Sequence, residues 1–290
     1  LDSVSLEQAQ KGVLLDLKDK SVLYAKGAYD KVYPASITKI ITALLAFKNS
    51  NMDDVVTITQ ENITLEEGSQ VVGFQVGDQV TMDQLVHCLL VYSGNDAASA
   101  IAEYVGGTTE NFVEMMNDYA RQLGCTGTHF ANANGLWMSN HDTTAHDMAL
   151  ISQEAYKNPT FAKITGTKRY IINKTKKHAK RYLHNHHGML YPSTFTQYLY
   201  EYCVGGKTGY TSKCRYTLVT YAKKNGTTLV SVIMRAPNSP WTAPDDNEYT
   251  DTTRILNYCF ENYKRYEIGT TTDNTVNTSD LFTKYSSYYN

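Results

Sequence analysis

The sequence contains 290 residues, of which 42% are hydrophobic and 19% charged, and this indicates a globular protein of about two domains rather than a disordered chain. The 27 lysines and arginines nearly balance the 29 aspartates and glutamates, which argues against general nucleic-acid binding. No apolar stretch reaches the roughly 20 residues needed to span a bilayer. The 5 cysteines are odd in number and lack a Cys-x-x-Cys pair, so we expect buried thiols rather than disulfides or a zinc site.

Two β-hairpins are predicted, one near each end of the chain. Residues 12–18 and 21–25 read as short strands joined by a polar turn. Residues 216–224 and 227–234 flank Asn225-Gly226, a strong hairpin signal because both positions tolerate positive φ angles. The simplest packing joins both hairpins into one antiparallel sheet.

The middle of the chain has a helical pattern. Apolar residues recur at three- and four-residue steps in 82–104, 111–123 and 144–156, as amphipathic helices require. We therefore predict an α+β fold, with an antiparallel sheet flanked by helices and a mainly helical subdomain beside it. A cleft is expected at their junction.

A local basic segment spans residues 168–187, which hold seven lysines and arginines and four histidines. We interpret this segment as a solvated hairpin or loop face. A docking surface for an anionic polymer is the alternative.

A serine and a lysine three residues apart open a predicted helix. Ser36 and Lys39 are neighbours on its surface, over a face that Ala43 and Phe47 continue with apolar side chains. Burial of an ammonium favours its neutral form, so Lys39 could accept the hydroxyl proton of Ser36. The helix start adds backbone N–H groups suited to a developing oxyanion. Taken alone, the pair is more often a cap and a surface charge.

Two further patterns strengthen this interpretation. Ser93-Gly94-Asn95 interrupts the helical middle, where a simple polar kink is the alternative. Lys207-Thr208-Gly209 follows two glycines and should lie on a strand beside the Asn-Gly hairpin, with the glycines allowing close backbone approach. The order Ser-x-x-Lys, Ser-x-Asn, Lys-Thr-Gly is typical of penicillin-recognising serine enzymes.

From about residue 10 to 262 the sequence resembles the low-molecular-mass penicillin-binding proteins, in particular the serine-type D-alanyl-D-alanine carboxypeptidases. Besides the three patterns, the likeness includes 68–70 with 76–79, 122–126, 134–136, 146–149 and 183–190. The resemblance implies the transpeptidase fold shared with β-lactamases. It implies a penicillin-binding catalytic domain over residues 1–262. Residues 263–290 would be a linker or the truncated start of a C-terminal β-rich domain.

The resemblance also implies the chemistry. Ser36 would attack the penultimate D-alanine carbonyl of a peptidoglycan stem peptide, with Lys39 as base and Ser93 as a proton relay to the leaving amine. Asn95 would hold the substrate amide and Lys39. The substrate-binding residues would be Lys207, Thr208, Gly209 and Tyr210, with Lys207 and Thr208 attracting the terminal carboxylate. The backbone N–H groups of Ser36 and Tyr210 would bind the oxyanion, and β-lactams would acylate Ser36.

We expect no cofactor and no metal, no nucleic-acid partner and an extracytoplasmic location with the signal peptide removed. Peripheral membrane attachment would need a segment absent from this sequence. Where relatives often carry an asparagine and a basic residue, this chain has His186 and His187, which would make the groove polarity pH-sensitive. A metal site at His184, His186 and His187 is the minor alternative.

Some relatives carry an arginine before the last helix, whereas this chain reads Asp246-Asn-Glu-Tyr249. Two other functions stay open. A class A β-lactamase would need a deacylating glutamate between the second and third motifs, where Glu154 and Glu201 have no such context. A β-lactam sensor or wall-binding module would be acylated with negligible turnover.

Overall fold

The computed structural model describes residues 4–174, 177–192, 196–245 and 247–263. Across these residues the strands are β1 (Lys11–Asp16), β2 (Val22–Lys26), β3 (Val55–Thr57), β4 (Gln79–Thr81), β5 (Arg169–Ile172), β6 (Arg181–His184), β7 (Cys203–Thr211), β8 (Arg215–Lys224) and β9 (Thr227–Ala236). The α-helices are α1 (Lys39–Asn49), α2 (Gln60–Ile63), α3 (Met82–Val91), α4 (Asn95–Gly106), α5 (Thr109–Gln122), α6 (Ala145–Tyr156), α7 (Pro159–Thr165) and α8 (Glu248–Asn262).

The main sheet unites the two ends of the chain. Its strand order is β2-β1-β9-β8-β7, and all neighbouring strands are antiparallel. Asn225 and Gly226 both have positive φ angles, as the predicted two-residue turn requires. Both predicted hairpins and their union through the β1–β9 pairing are therefore confirmed.

Two hydrophobic cores lie on opposite faces of this sheet. Because successive strand residues point to opposite faces, Val219 and Val230 join the larger core, which contains the buried sides of α1, α3, α4 and α6. Leu218 and Leu229 instead join the smaller core with Ile255 of α8. The sheet is thus covered by helices on both faces, which confirms the predicted α+β class.

The predicted helical stretch 82–104 forms two helices rather than one. Ser93 adopts a positive φ of 65°, Gly94 caps α4, and the Asn95 N–H donates to the Gln70 carbonyl at 2.7 Å instead of continuing α3. This break places a short polar turn between the helices, where it borders the sheet edge.

The basic segment partly packs against the molecule. Its strands β5 and β6 form a hairpin, and Arg181 donates to the Val72 carbonyl at 3.2 Å. His178 Nε2 lies 2.6 Å from an Asp78 carboxylate oxygen. Several charges of this segment therefore hold the 72–78 loop rather than facing solvent.

Three further sequence predictions concern cysteines, membrane spans and the C-terminus. The five cysteines are free and buried, as predicted. In the part of the chain that the structure describes, no helix is long and apolar enough to cross a bilayer. The predicted linker or β-rich domain at 263–290 lies, apart from Tyr263, outside the described residues.

Candidate active site

A cavity of about 380 Å³ opens between the outer strand β7 and the helical region. Its lining includes Ser36, Ser93, Thr208, Gly209 and Tyr210. All three sequence patterns therefore contribute to one cavity, although 57 and 114 residues separate Ser36 from Ser93 and Ser93 from Lys207.

Ser36 lies on a 3₁₀ turn, Ala35–Thr38, that precedes α1. The sequence predicts an α-helix here, and the tighter turn is a correction to that prediction. Two glycines account for it, because they let backbone approach this turn closely. A Cβ on Gly135 would lie 2.0 Å from the Ala35 carbonyl oxygen, and one on Gly209 would lie 2.8 Å from the Ser36 nitrogen. The Ser36 turn is thus held between the Gly135 loop and the edge of the sheet.

The Lys39 amine occupies the centre of the site and is fully buried. Its Nζ lies 2.9 Å from Ser36 Oγ, 2.7 Å from Asn95 Oδ1 and 2.6 Å from the Asn134 carbonyl oxygen. A neutral amine has two N–H donors and one lone pair. Asn95 and Asn134 can accept the two donated hydrogen bonds, which leaves the lone pair for the Ser36 hydroxyl.

Electrostatics favour this neutral form. Burial holds the pKa of Lys39 well below its usual value, the positive charge of Lys207 lowers it further, and the Asp96 carboxylate acts in the opposite direction. An unprotonated amine beside a hydroxyl can take its proton as that oxygen attacks an acyl carbon. The arrangement can therefore generate a serine nucleophile.

Lys207 is the second buried amine of the site. Its Nζ lies 2.9 Å from Ser93 Oγ and donates to the Thr208 carbonyl at 2.8 Å. Burial lowers its pKa to about 7, so at neutral pH it exists in both charged and neutral forms. Lys207 thus connects the second and third patterns, and the Ser93 hydroxyl sits within reach of a proton donor.

Strand β7 supplies the wall beside Ser36. It is the outer strand of the sheet, and an outer strand leaves backbone N–H and carbonyl groups free of pairing on one side. Thr208 lines the cavity. Tyr210 is 55% exposed, and its ring packs on that of Tyr216 with the ring centroids 4.4 Å apart.

Asp96 is a site residue that sequence reasoning missed. Its buried carboxylate accepts backbone hydrogen bonds from Val72, Gly73 and Phe74 at 2.9–3.3 Å. These bonds tie the loop that leads from Gln70, a cavity residue, to the start of α4. Its position directly after Ser-x-Asn was a signal, but the loop it binds is distant in sequence.

The Asn134 carbonyl was missed for another reason. Residues 134–136 stand out in the sequence only as part of the family resemblance, because a backbone acceptor has no side-chain signature. His141 supports this segment: its Nδ1 accepts from the Ala131 N–H at 3.1 Å, and its Nε2 lies 2.9 Å from Thr38 Oγ1. Burial lowers the pKa of His141 to about 3, so it acts as a neutral link between the loop and the Ser36 turn.

The three adjacent histidines occupy separate surroundings. His184 stacks on Tyr191, His186 lines the cavity, and His187 Nε2 lies 3.0 Å from Thr220 Oγ1. Among the described residues, no group of three or more histidine, cysteine and acidic side chains could hold a metal ion. Burial lowers the pKa of both His186 and His187 to about 4. The groove polarity, which was predicted to depend on pH, therefore changes only well below neutral pH.

The glutamates relevant to the β-lactamase alternative lie away from the cavity lining. Glu154 forms an ion pair with Lys157 at 2.6 Å on α6, and Glu201 is exposed. In the stretch that replaces the arginine of some relatives, Glu248 is buried and lines the cavity.

Comparisons with known proteins agree with this geometry. A family model described as D-alanyl-D-alanine carboxypeptidase matches residues 3–238. The chain is 32% identical over 269 residues to D-alanyl-D-alanine carboxypeptidase DacF of Bacillus subtilis, and the aligned region covers 90% of this chain and 64% of that protein. It therefore spans less than two thirds of the length of this curated relative.

Solved structures share the fold. The D-alanyl-D-alanine carboxypeptidase from Mycobacterium tuberculosis superimposes with a TM-score of 0.80 at 28% identity, covering 93% of this chain and 98% of that one. The Streptomyces K15 DD-transpeptidase gives 0.78 at 29% identity, covering 88% and 97%. These similarities confirm the predicted transpeptidase-type fold.

Proposed function

The chain belongs to the D-alanyl-D-alanine carboxypeptidase family, and from this we propose that it removes the terminal D-alanine from peptidoglycan stem peptides. One observation carries the proposal. The fully buried Lys39 amine lies 2.9 Å from the Ser36 hydroxyl, with its two other neighbours arranged to accept hydrogen bonds. This is the geometry of an activated serine nucleophile.

The first chemical step forms an acyl-enzyme. Ser36 Oγ attacks the carbonyl carbon of the penultimate D-alanine while its proton passes to Lys39 Nζ. The resulting oxyanion is stabilised by the backbone N–H groups of Ser36 and Tyr210. As the tetrahedral species collapses, the C–N bond breaks and the leaving amine receives a proton through Ser93, whose Oγ lies 2.9 Å from Lys207 Nζ.

The second step returns the free enzyme. Water adds to the ester carbonyl carbon while one of its protons passes through Ser93 to Lys207, which replaces the proton given to the leaving amine. The bond between the Ser36 oxygen and the acyl carbon then breaks, and Lys39 Nζ returns its proton to that oxygen. The products are the shortened stem peptide and D-alanine. Lys207 and Thr208 would orient the terminal carboxylate, and Asn95 the amide of the stem. A β-lactam would acylate Ser36 because its amide and carboxylate occupy the same positions. Since peptidoglycan lies outside the cytoplasm, we propose an extracytoplasmic site of action.

The test combines covalent labelling with product detection. Intact-protein mass spectrometry after benzylpenicillin exposure should show a single adduct that peptide mapping assigns to Ser36. The same protein should release D-alanine from an acyl-D-Ala-D-Ala peptide. Ser36→Ala should abolish both, whereas Ser5→Ala, at an exposed serine, should change neither.

Two outcomes would contradict the proposal. An adduct that persists in Ser36→Ala would place the nucleophile elsewhere. Labelling at Ser36 without any D-alanine release would favour a β-lactam sensor instead.

A further inference from the structure

The wall of the active-site cavity contains a carboxyl group that the proposed reaction does not use. Glu248 begins α8 and is the acidic side chain among the described residues that line the cavity. It is 4% exposed, and its Oε2 atom has no hydrogen-bond partner among the described residues. A buried polar atom without a partner is costly, which points to a partner supplied by the substrate.

The surroundings keep this carboxyl neutral. Burial raises the pKa of Glu248 to about 8, and the negative charge of Asp251 on the same helix contributes to that increase. The cavity residue His186 is neutral at this pH, and Lys207 Nζ is engaged with Ser93. Glu248 is thus protonated in most molecules at neutral pH, and a protonated carboxyl can donate an O–H hydrogen bond.

Under the proposed function, the substrate group that would bind beside Thr208 is the terminal carboxylate. Thr208, which would orient that carboxylate, lines the same cavity as Glu248. A carboxylate accepts hydrogen bonds and repels an ionised glutamate, so a neutral acid is the form of Glu248 that suits it.

We propose that Glu248 is a specificity-determining residue whose buried carboxyl group in the cavity wall, with one oxygen unpartnered among the described residues, donates a hydrogen bond to the C-terminal carboxylate of the substrate. This inference rests on the proposed carboxypeptidase function. It assigns Glu248 a binding role in recognising the charged end of the peptide and leaves the proton transfers to Lys39 and Ser93.

The test compares a donor and a non-donor of similar size at position 248. Glu248→Gln keeps an N–H donor, Glu248→Met removes it, and Glu261→Gln is a control at an exposed position of the same helix. Each variant is assayed at neutral pH on an acyl-D-Ala-D-Ala peptide with a free carboxylate and on its C-terminal amide. Thermal unfolding checks that each variant is folded.

The measured quantity is the ratio of kcat/KM for the free acid to that for the amide. A hydrogen bond to a charged group predicts that Glu248→Met lowers this ratio about tenfold, whereas Glu248→Gln keeps it within about twofold. A second arm compares acylation by benzylpenicillin with that by its methyl ester, and the same pattern is expected there.

Three results would overturn the inference. The first is an unchanged ratio in Glu248→Met, and the second is an equal fall of the ratio in Glu248→Gln. The third is an accumulation of acyl-enzyme in Glu248→Gln, which would identify Glu248 as a base for the deacylating water. Penicillin labelling without D-alanine release would instead overturn the proposed function, and the penicillin arm would still decide the role of Glu248.

Discussion

Replacement of Lys39 by methionine tests the base assigned to the reaction. Methionine approximates the length of the lysine side chain but has no basic nitrogen, so the Ser36 proton loses its acceptor. General-base catalysis typically contributes 10²- to 10⁴-fold, and we expect acylation by penicillin to slow by about that factor. This corresponds to about 3–6 kcal/mol of lost transition-state stabilisation, at about 1.4 kcal/mol per tenfold.

The Lys39→Met substitution should leave the protein folded. The substitution leaves Asn95 Oδ1 and the Asn134 carbonyl without their Lys39 donor, at a cost of about 1–3 kcal/mol each. It also removes an amine whose charged form is strongly disfavoured by burial. Because these effects oppose each other, we expect a folded protein that is slow to react.

The assay measures the second-order rate of labelling by a fluorescent penicillin, together with the melting temperature. Lys48→Met is the matched control, because Lys48 is an exposed lysine of the same helix. Labelling of folded Lys39→Met within about threefold of the wild-type rate would refute the assignment, since a lost general base costs far more.

Three further predictions follow from the described contacts. Gly135→Ala should destabilise the fold and abolish labelling, because its Cβ would meet the Ala35 carbonyl oxygen at 2.0 Å. Gly124→Ala, with a similar φ and open space, should lose only about 1–2 kcal/mol on unfolding and keep its labelling rate. Asp96→Asn removes a charge that raises the pKa of Lys39, so the acid limb of the labelling pH profile should move to lower pH; an unmoved limb would refute this coupling. The pKa of Lys207 falls from 10.5 in the unfolded chain to about 7 in the fold, so between these values the unfolded state binds more protons. The unfolding free energy of the wild type, relative to that of Lys207→Met, should therefore rise by up to about 1.4 kcal/mol per pH unit above pH 7, and a flat or falling difference measured by denaturant titration would contradict it.

Local sequence patterns were enough for the two hairpins and for the three site motifs. The Asn225-Gly226 turn requires positive φ angles that these two residues tolerate, and it joins two strands that are consecutive in sequence, so the pairing of β8 with β9 is encoded locally. Ser36 and Lys39 are three residues apart and meet within one turn, as spacing alone predicts. Such contacts need no knowledge of the rest of the chain.

Other features depend on residues far apart in sequence. The turn at Ser93 could be seen as an interruption, but its positive φ and the hydrogen bond from Asn95 to the Gln70 carbonyl follow from packing against the 70–74 loop. The 3₁₀ start before α1 likewise reflects the close approach of Gly135 and Gly209. Helical periodicity carries no information about these approaches.

The sequence by itself determined the order of the reactive groups, the strands and helices that hold them, and the family to which the chain belongs. Only the tertiary structure decided the protonation state of those groups. Burial shifts the pKa of Lys39, Lys207 and Glu248, and the pKa of Lys39 also depends on the charges of Lys207 and Asp96, which come from other segments of the chain. Desolvation is a property of the assembled cavity, and no local pattern specifies how much water a side chain will lose.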